Sequence, residues 1–141
     1  MTHPRTIVTK SIAALRALCV VTPESVGAAF GHALALSRED PYLRVHAVEP
    51  ASGPFERVAL LAPAPGARHA HTRVIVDLAR DVDVTRDDVT EVAGTGTFSS
   101  EVLDAPGGEE SWWYTADSGA LLATYSRVDG RLRSICLALG V

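Results

Sequence analysis

The sequence predicts an α+β fold: one domain in two α-α-β-β(-β) units, an antiparallel sheet packed by helices on one side. Three observations carry this. Ser111 to Thr115, Ala120 to Val128 and Arg131 to Leu139 read as three strands joined by Asp117-Ser118-Gly119 and Asp129-Gly130, and Asp-Gly is the strongest short hairpin signal. Thr22-Pro23-Glu24 and Thr85-Arg86-Asp87-Asp88 each place a hydroxyl cap before acidic first turns, the mark of a helix start. Finally, the run from Val21 to Gly31 aligns with Val84 to Gly94, matching in Val, Thr, Val and Gly. That similarity predicts a tandem duplication over 10–62 and 73–139.

The elements follow in order. Met1 to Thr9 is polar and predicts a flexible N-terminus. Ile12, Leu15, Leu18 and Cys19 fall at three- and four-residue spacing, so 10–19 predicts an amphipathic helix. From Thr22 a second helix runs to about Ser37, with Val26, Phe30, Ala33, Leu34 and Leu36 on its apolar side. Gly27 and Gly31 either weaken it or admit another backbone at close range. Leu43, Val45 and Ala47 alternate with Arg44 and His46 as a half-buried strand. Ser52-Gly53-Pro54 turns the chain into a second strand, Phe55 to Ala62. Arg73 to Asp81 fits two patterns: Val74, Val76 and Leu78 alternate as in a strand, while Ile75, Leu78, Ala79 and Val82 make a helical stripe. The duplication favours the helix and β-branched density the strand. If it is a strand, the plan becomes the α-βββ-α-βββ of secretion chaperones. A helix from Thr85 closes at Gly94, and Phe98 to Leu103 predicts an edge strand.

Composition narrows function. The net charge is −4, 12 of 13 basic residues are Arg, and Asn and Gln are absent. Scattered arginines among acids do not make a phosphate-binding surface, and the amides that read adenine edges are missing. No nucleic-acid partner is therefore expected, and without Asn no Cys-His-Asn triad. No stretch reaches the ~18 apolar residues of a membrane span, so the chain is expected in the cytoplasm without a membrane partner. Cys19 and Cys136 stand among apolar neighbours and are expected to be reduced and buried.

Val84-Thr85-Arg86-Asp87-Asp88-Val89 through Gly94, the aromatic strand Trp112-Trp113-Tyr114, Leu121 to Tyr125, and Val128-Asp129-Gly130-Arg131-Leu132 together resemble a BamE-type unit, the family that includes the tandem-repeat β-lactamase inhibitor protein. The match runs over 84–139 and more thinly over 10–62. It departs where that family places Gly-Met before the capping Thr; here Asp83-Val84 stand there. The resemblance implies paired helices against a sheet whose aromatic face binds proteins, without catalysis.

The candidate sites follow from this. Trp112, Trp113, Tyr114, Phe98 and Tyr125 hold five of the eight aromatics and are the expected partner-binding residues for a protein partner or a second copy. Trp112 and Tyr114 face one way and Trp113 the other; register decides which is outward. The alternative is a small-ligand site or enzyme pocket between helices and sheet, using Arg44, His46 and Arg57. His69-Ala70-His71 has the spacing to place two imidazoles on one strand face, with His32, His46 or Asp77 as third ligand, but follows Pro65-Gly66 and reads as a solvated loop. The acids from Asp77 to Glu91, interleaved with Arg73, Arg80 and Arg86, read as a self-paired solvated face. Neither metal nor other cofactor is expected, and no nucleophile motif is present.

Overall fold

The computed structural model describes residues 3–67, 71–99 and 108–139. Three helices, α1 (Pro4–Arg16), α2 (Pro23–Phe30) and α3 (Arg86–Ala93), accompany one eight-stranded antiparallel sheet. Its strands are β1 (Ala35–Glu39), β2 (Leu43–Val48), β3 (Phe55–Pro63), β4 (Arg73–Leu78), β5 (Thr97–Phe98), β6 (Glu109–Ala116), β7 (Gly119–Ser126) and β8 (Leu132–Leu139). The spatial order is β1-β2-β3-β4-β8-β7-β6-β5, so two four-strand meanders meet along β4 and β8. The class is as the patterning predicts. The repeated α-α-β-β(-β) unit is not present: two helices precede the first meander and one precedes the second.

The reason lies in 73–81. Arg73–Leu78 is a strand, its Val74, Val76 and Leu78 buried and its Arg73, Ile75 and Asp77 on the other face. Pairing with β3 on one side and β8 on the other satisfies its backbone along both edges, which a helix there would forfeit. The 73–139 boundary would thus cut β4 from its hairpin partner. The strand reading is the condition for the chaperone-like plan, but each half here contributes four strands rather than three. The two Thr-capped helices are alike only locally. Both are eight residues long and close at glycine, but Gly31 exits at φ 71°, ψ 27° and Gly94 at φ 83°, ψ −168°.

Two further boundaries move. The N-terminus is not a frayed tail from 1 to 9, because α1 starts at Pro4, where His3 Nδ1 accepts the Arg5 N–H at 3.1 Å. Val8, Ile12 and Leu15 share one face at i, i+4 and i+7 and are fully buried, each contributing about 1.5–3 kcal/mol. At the other end α1 stops at Arg16, leaving Leu18 and Cys19 outside it. Cys19 is exposed rather than buried, and Cys136 is half-buried. The second helix ends at Phe30, not Ser37. Gly31 takes the left-handed conformation, the His32 N–H donates to the Gly27 carbonyl at 2.9 Å, and the chain turns back to form β1. A Cβ on Gly27 would lie 2.3 Å from the His32 carbonyl oxygen, so this is the close backbone approach the glycine permits.

The core fills one side of the sheet. Val58, Leu60, Val74, Val76, Ile135, Leu137, Leu121 and Ala123 meet Val8, Ile12, Leu15, Val26, Phe30 and Val89 in one cluster. Arg16 ties α1 to the β6–β7 turn, its Nε donating to the Thr115 carbonyl and its own carbonyl accepting from Asp117 N. At α3 the Asp88 carboxylate accepts from both N–H and O–H of Thr85.

Helix propensity favours Ala over Gly by about 1 kcal/mol. Gly27→Ala is nonetheless expected to destabilise by about 1–3 kcal/mol, the cost of forcing atoms into a filled space. A urea unfolding midpoint equal to or above that of the parent chain would show that the α2–β1 turn yields instead.

Candidate functional site

Antiparallel registers fix which side chains share a face. On the helix side, Trp112 pairs with Ala123 and Tyr114 with Leu121. On the opposite side one register row crosses all eight strands: Ala35, Ala47, Ala59, Ile75, Cys136, Leu122, Trp113 and Thr97. Seven of the eight are apolar. None of this row belongs to the helix-side core cluster or packs against it. Beside it run Val45, Leu61, Arg73, Ala138, Ala120 and Thr115, and on the other flank Arg57, Asp77, Ser134, Thr124 and Ser111. A sheet with one solvated face ordinarily alternates apolar-in with polar-out. Here two rows of the outer face remain largely apolar, and only the third is polar.

The five aromatics expected to act together are divided. Tyr114 and Tyr125 are each 2% exposed, inside the core, their hydroxyls 2.8 Å apart. Burial raises both pKa values above the ordinary tyrosine range; for Tyr125 the bond to Tyr114 adds to this, and for Tyr114 it opposes. Gly96 makes room for this pair, since a Cβ there would lie 2.7 Å from the Tyr114 ring. Trp112 sits at the helix-side margin. Arg86 lies 4.2 Å over its ring, Phe98 meets it edge-on at 5.5 Å, and its Nε1 donates to Glu110 Oε1 at 3.3 Å. Phe98 is 38% exposed. Trp113 alone points to the outer face. It borders an open depression of about 590 Å³ lined by Thr95, Thr97, Tyr114, Thr115, Gly119 and Ala120.

The alternative residues are not brought together. Arg44 and His46 lie on the helix side of β2, and Arg57 lies on the outer side of β3. Arg44 Nε is 3.1 Å from Glu39 Oε1. Arg57 Nε is 3.1 Å from Asp77 Oδ2, an ion pair without hydrogen-bond alignment. His46 Nδ1 is buried without a protein partner. A second depression, about 440 Å³, lies along α2 against Pro23, Glu24, Gly27, Ala28, Gly31 and His32, away from all three.

The histidine pair falls at the edge of what is described. His69 lies outside the described residues and His71 is exposed. Among the described residues no group of three or more His, Cys, Asp or Glu side chains could hold a metal ion. Three of the six acids in the stretch are paired, and with arginines other than those interleaved among them. Asp83 meets Arg5 and Arg131, Asp88 meets Arg5, and Asp77 meets Arg57. Cys136 lies in the outer row; burial pushes its thiol pKa up, against the pull of Arg73, which disfavours the reactive thiolate. Among the described residues no helix is long and apolar enough to cross a membrane.

Sequence reasoning missed the small-residue half of the outer row. Ala35, Ala47 and Ala59 carry no chemical signal by themselves; they matter only because pairing aligns them with Ile75, Leu122 and Trp113. Alternation within β2, β3 and β7 held the information, but only register joins it. Comparison with protein-family models, curated proteins and solved structures finds no match for this chain.

The tyrosine pair has a testable consequence. Groups whose folded pKa is raised hold their stabilisation below the unfolded value and lose it as pH climbs. The unfolded value is 10.0, so the pair's contribution to stability is expected to be constant up to about that pH and to fall beyond it. In a spectrophotometric titration, two of the three tyrosines should ionise only as the chain unfolds. Three ionisations at the ordinary pH in a chain that stays folded would contradict the buried pair.

Proposed function

We propose that this chain is a non-catalytic protein-binding domain, of the inhibitor, immunity or chaperone type, whose outer sheet face receives the partner. One observation carries the reading: the apolar row from Ala35 to Trp113, unbroken over seven strands, on the face opposite the helices. Ala35 is exposed, Ala47, Ile75, Cys136, Leu122 and Trp113 are half-buried, and Ala59 is 2% exposed, so the row offers a partly accessible apolar surface, and large apolar surface marks interaction sites. The rim supports the same reading. Arg57, Asp77, Thr124 and Ser111 edge the apolar rows with polar groups, the arrangement of a protein interface. Trp113 supplies the rigid aromatic that such interfaces use as an anchor. The BamE-type resemblance over 84–139 implies protein binding as well, although among its described residues that stretch holds one helix and four strands rather than paired helices.

The other aromatics take supporting parts. Tyr114 and Tyr125 hold β6 and β7 at their spacing, and Trp112 with Phe98 and Arg86 fixes the β5–β6 margin. Only Trp113 among the five is placed to meet a partner directly.

The test separates the two faces. A photo-crosslinking side chain at position 113 is expected to capture a defined partner from the native cell, and Leu122→Asp to abolish that capture. Trp112→Ala should leave it intact. Leu122 is outside the core cluster, so its variant should keep the parent's circular dichroism. An unchanged crosslinked set in folded Leu122→Asp would reject the outer face as the binding surface.

A further inference from the structure

We infer that the outer face is self-complementary and that its occupant is a second copy of this chain, packed sheet on sheet about a two-fold axis parallel to the strands between β4 and β8. The inference rests on the proposed function, since it names the partner of that same face.

Size carries it first. In the central row the β1–β3 half is small (Ala35, Ala47, Ala59) and the β7–β6 half is large (Leu122, Trp113). In the neighbouring row the pattern reverses at one position, where Leu61 is large and Ala120 small, while Val45 and Thr115 are alike in size. An axis along the strands exchanges β2 with β6 and β3 with β7 of the other copy. Trp113 then meets Ala47, Leu122 meets Ala59, and Leu61 meets Ala120. Large faces small at these three positions, which is how facing layers interdigitate, while Val45 meets Thr115, of like size, and Ala35 meets Thr97. An axis across the strands would instead set Trp113 on Trp113 and Ala59 on Ala59.

Charge agrees. Arg57 and Asp77 lie on the β1–β4 half, and the positions that face them, on β7 and β8, are Thr124 and Ser134. The ion pair therefore meets hydroxyls and no like charge. Arg73, beside the axis, begins β4 at the sheet's rim and is exposed. Area agrees as well. The three rows hold eight, six and five positions, a patch of roughly 600 Å² on each copy, at the low end of the ~1,200–2,000 Å² that two partners of a stable interface bury together.

Analytical ultracentrifugation of the full chain from about 1 to 100 μM spans affinities typical of interfaces this size. A dimer is expected, with Leu122→Asp monomeric and folded. Trp113→Ala and Ala47→Trp are each expected to weaken it at least ~10-fold, and the double variant to recover most of the loss, because the exchanged volumes face each other. A monomer throughout, a dimer indifferent to Leu122→Asp, or a double variant no better than the worse single overturns the inference. A monomer that still loses its crosslinked partner through Leu122→Asp leaves the proposed function standing. A Leu122→Asp variant that changes neither assembly nor crosslinking removes both.

Discussion

Everything else in this molecule depends on the antiparallel seam between β4 and β8. Five register pairs, from Arg73 with Ala138 to Asp77 with Ser134, join two meanders that are otherwise separate sheets. The seam puts Val74 beside Leu137 and Val76 beside Ile135, giving the helices one continuous floor. It also puts Ile75 beside Cys136, giving the outer face one continuous row. A slip of a single residue would turn Ile75 and Asp77 toward the helices and Val74 and Val76 away. A charged Asp77 facing α1 would cost far more than the slip could return. Register is thus held by the core, and the outer row is its consequence. The contacting strands are nearly sixty residues apart in sequence, a separation of the kind that slows folding because loop closure precedes the reward.

Around this seam the polar groups chiefly set positions. Arg5 reaches Asp83 and Asp88, Arg131 reaches Asp83, and Arg133 reaches Asp129. Pairs this exposed contribute little each. They fix where α1 and the β7–β8 turn lie, while Val8, Ile12 and Leu15 supply the adhesion. The Asp129 carboxylate shows the division of labour: it accepts the Arg131 N–H, which holds its pKa low and shapes the turn that Gly130 completes at φ 72°.

How much of this the sequence revealed follows from which signals are local. Thr85 with Asp88, Asp129-Gly130 and Ser52-Gly53-Pro54 are decided within four residues, and α3 and the hairpins appear where they predict. Ala35 to Ser37 reads as helix because Ala and Leu are good helix formers, yet Gly31 redirects the chain and β2 supplies a pairing edge. Arg73–Leu78 is ambiguous locally and unambiguous once flanked by two strands. The candidate site divides the same way. Strand alternation already separates Trp113 from Trp112 and Tyr114. Which of them faces outward follows only from where the helices pack, and the contribution of three alanines is visible only across paired strands.

The edges of the sheet explain why association would use its face. An open edge strand offers unpaired backbone donors and acceptors to any passing chain. At one edge β5 spans Thr97–Phe98 among the described residues. β1 at the other is exposed along its length, but its register shifts between Leu36 and Arg38, and it carries Arg38 and Glu39 beside Arg44. A bulge and charges are the devices that blunt edge pairing. The β1 edge is thus protected, while the outer face keeps two largely apolar rows. On the proposed reading, a partner would then meet side chains rather than backbone. Side chains can discriminate size and charge, and in the proposed pairing a face that is small where its two-fold mate is large would discriminate in favour of itself.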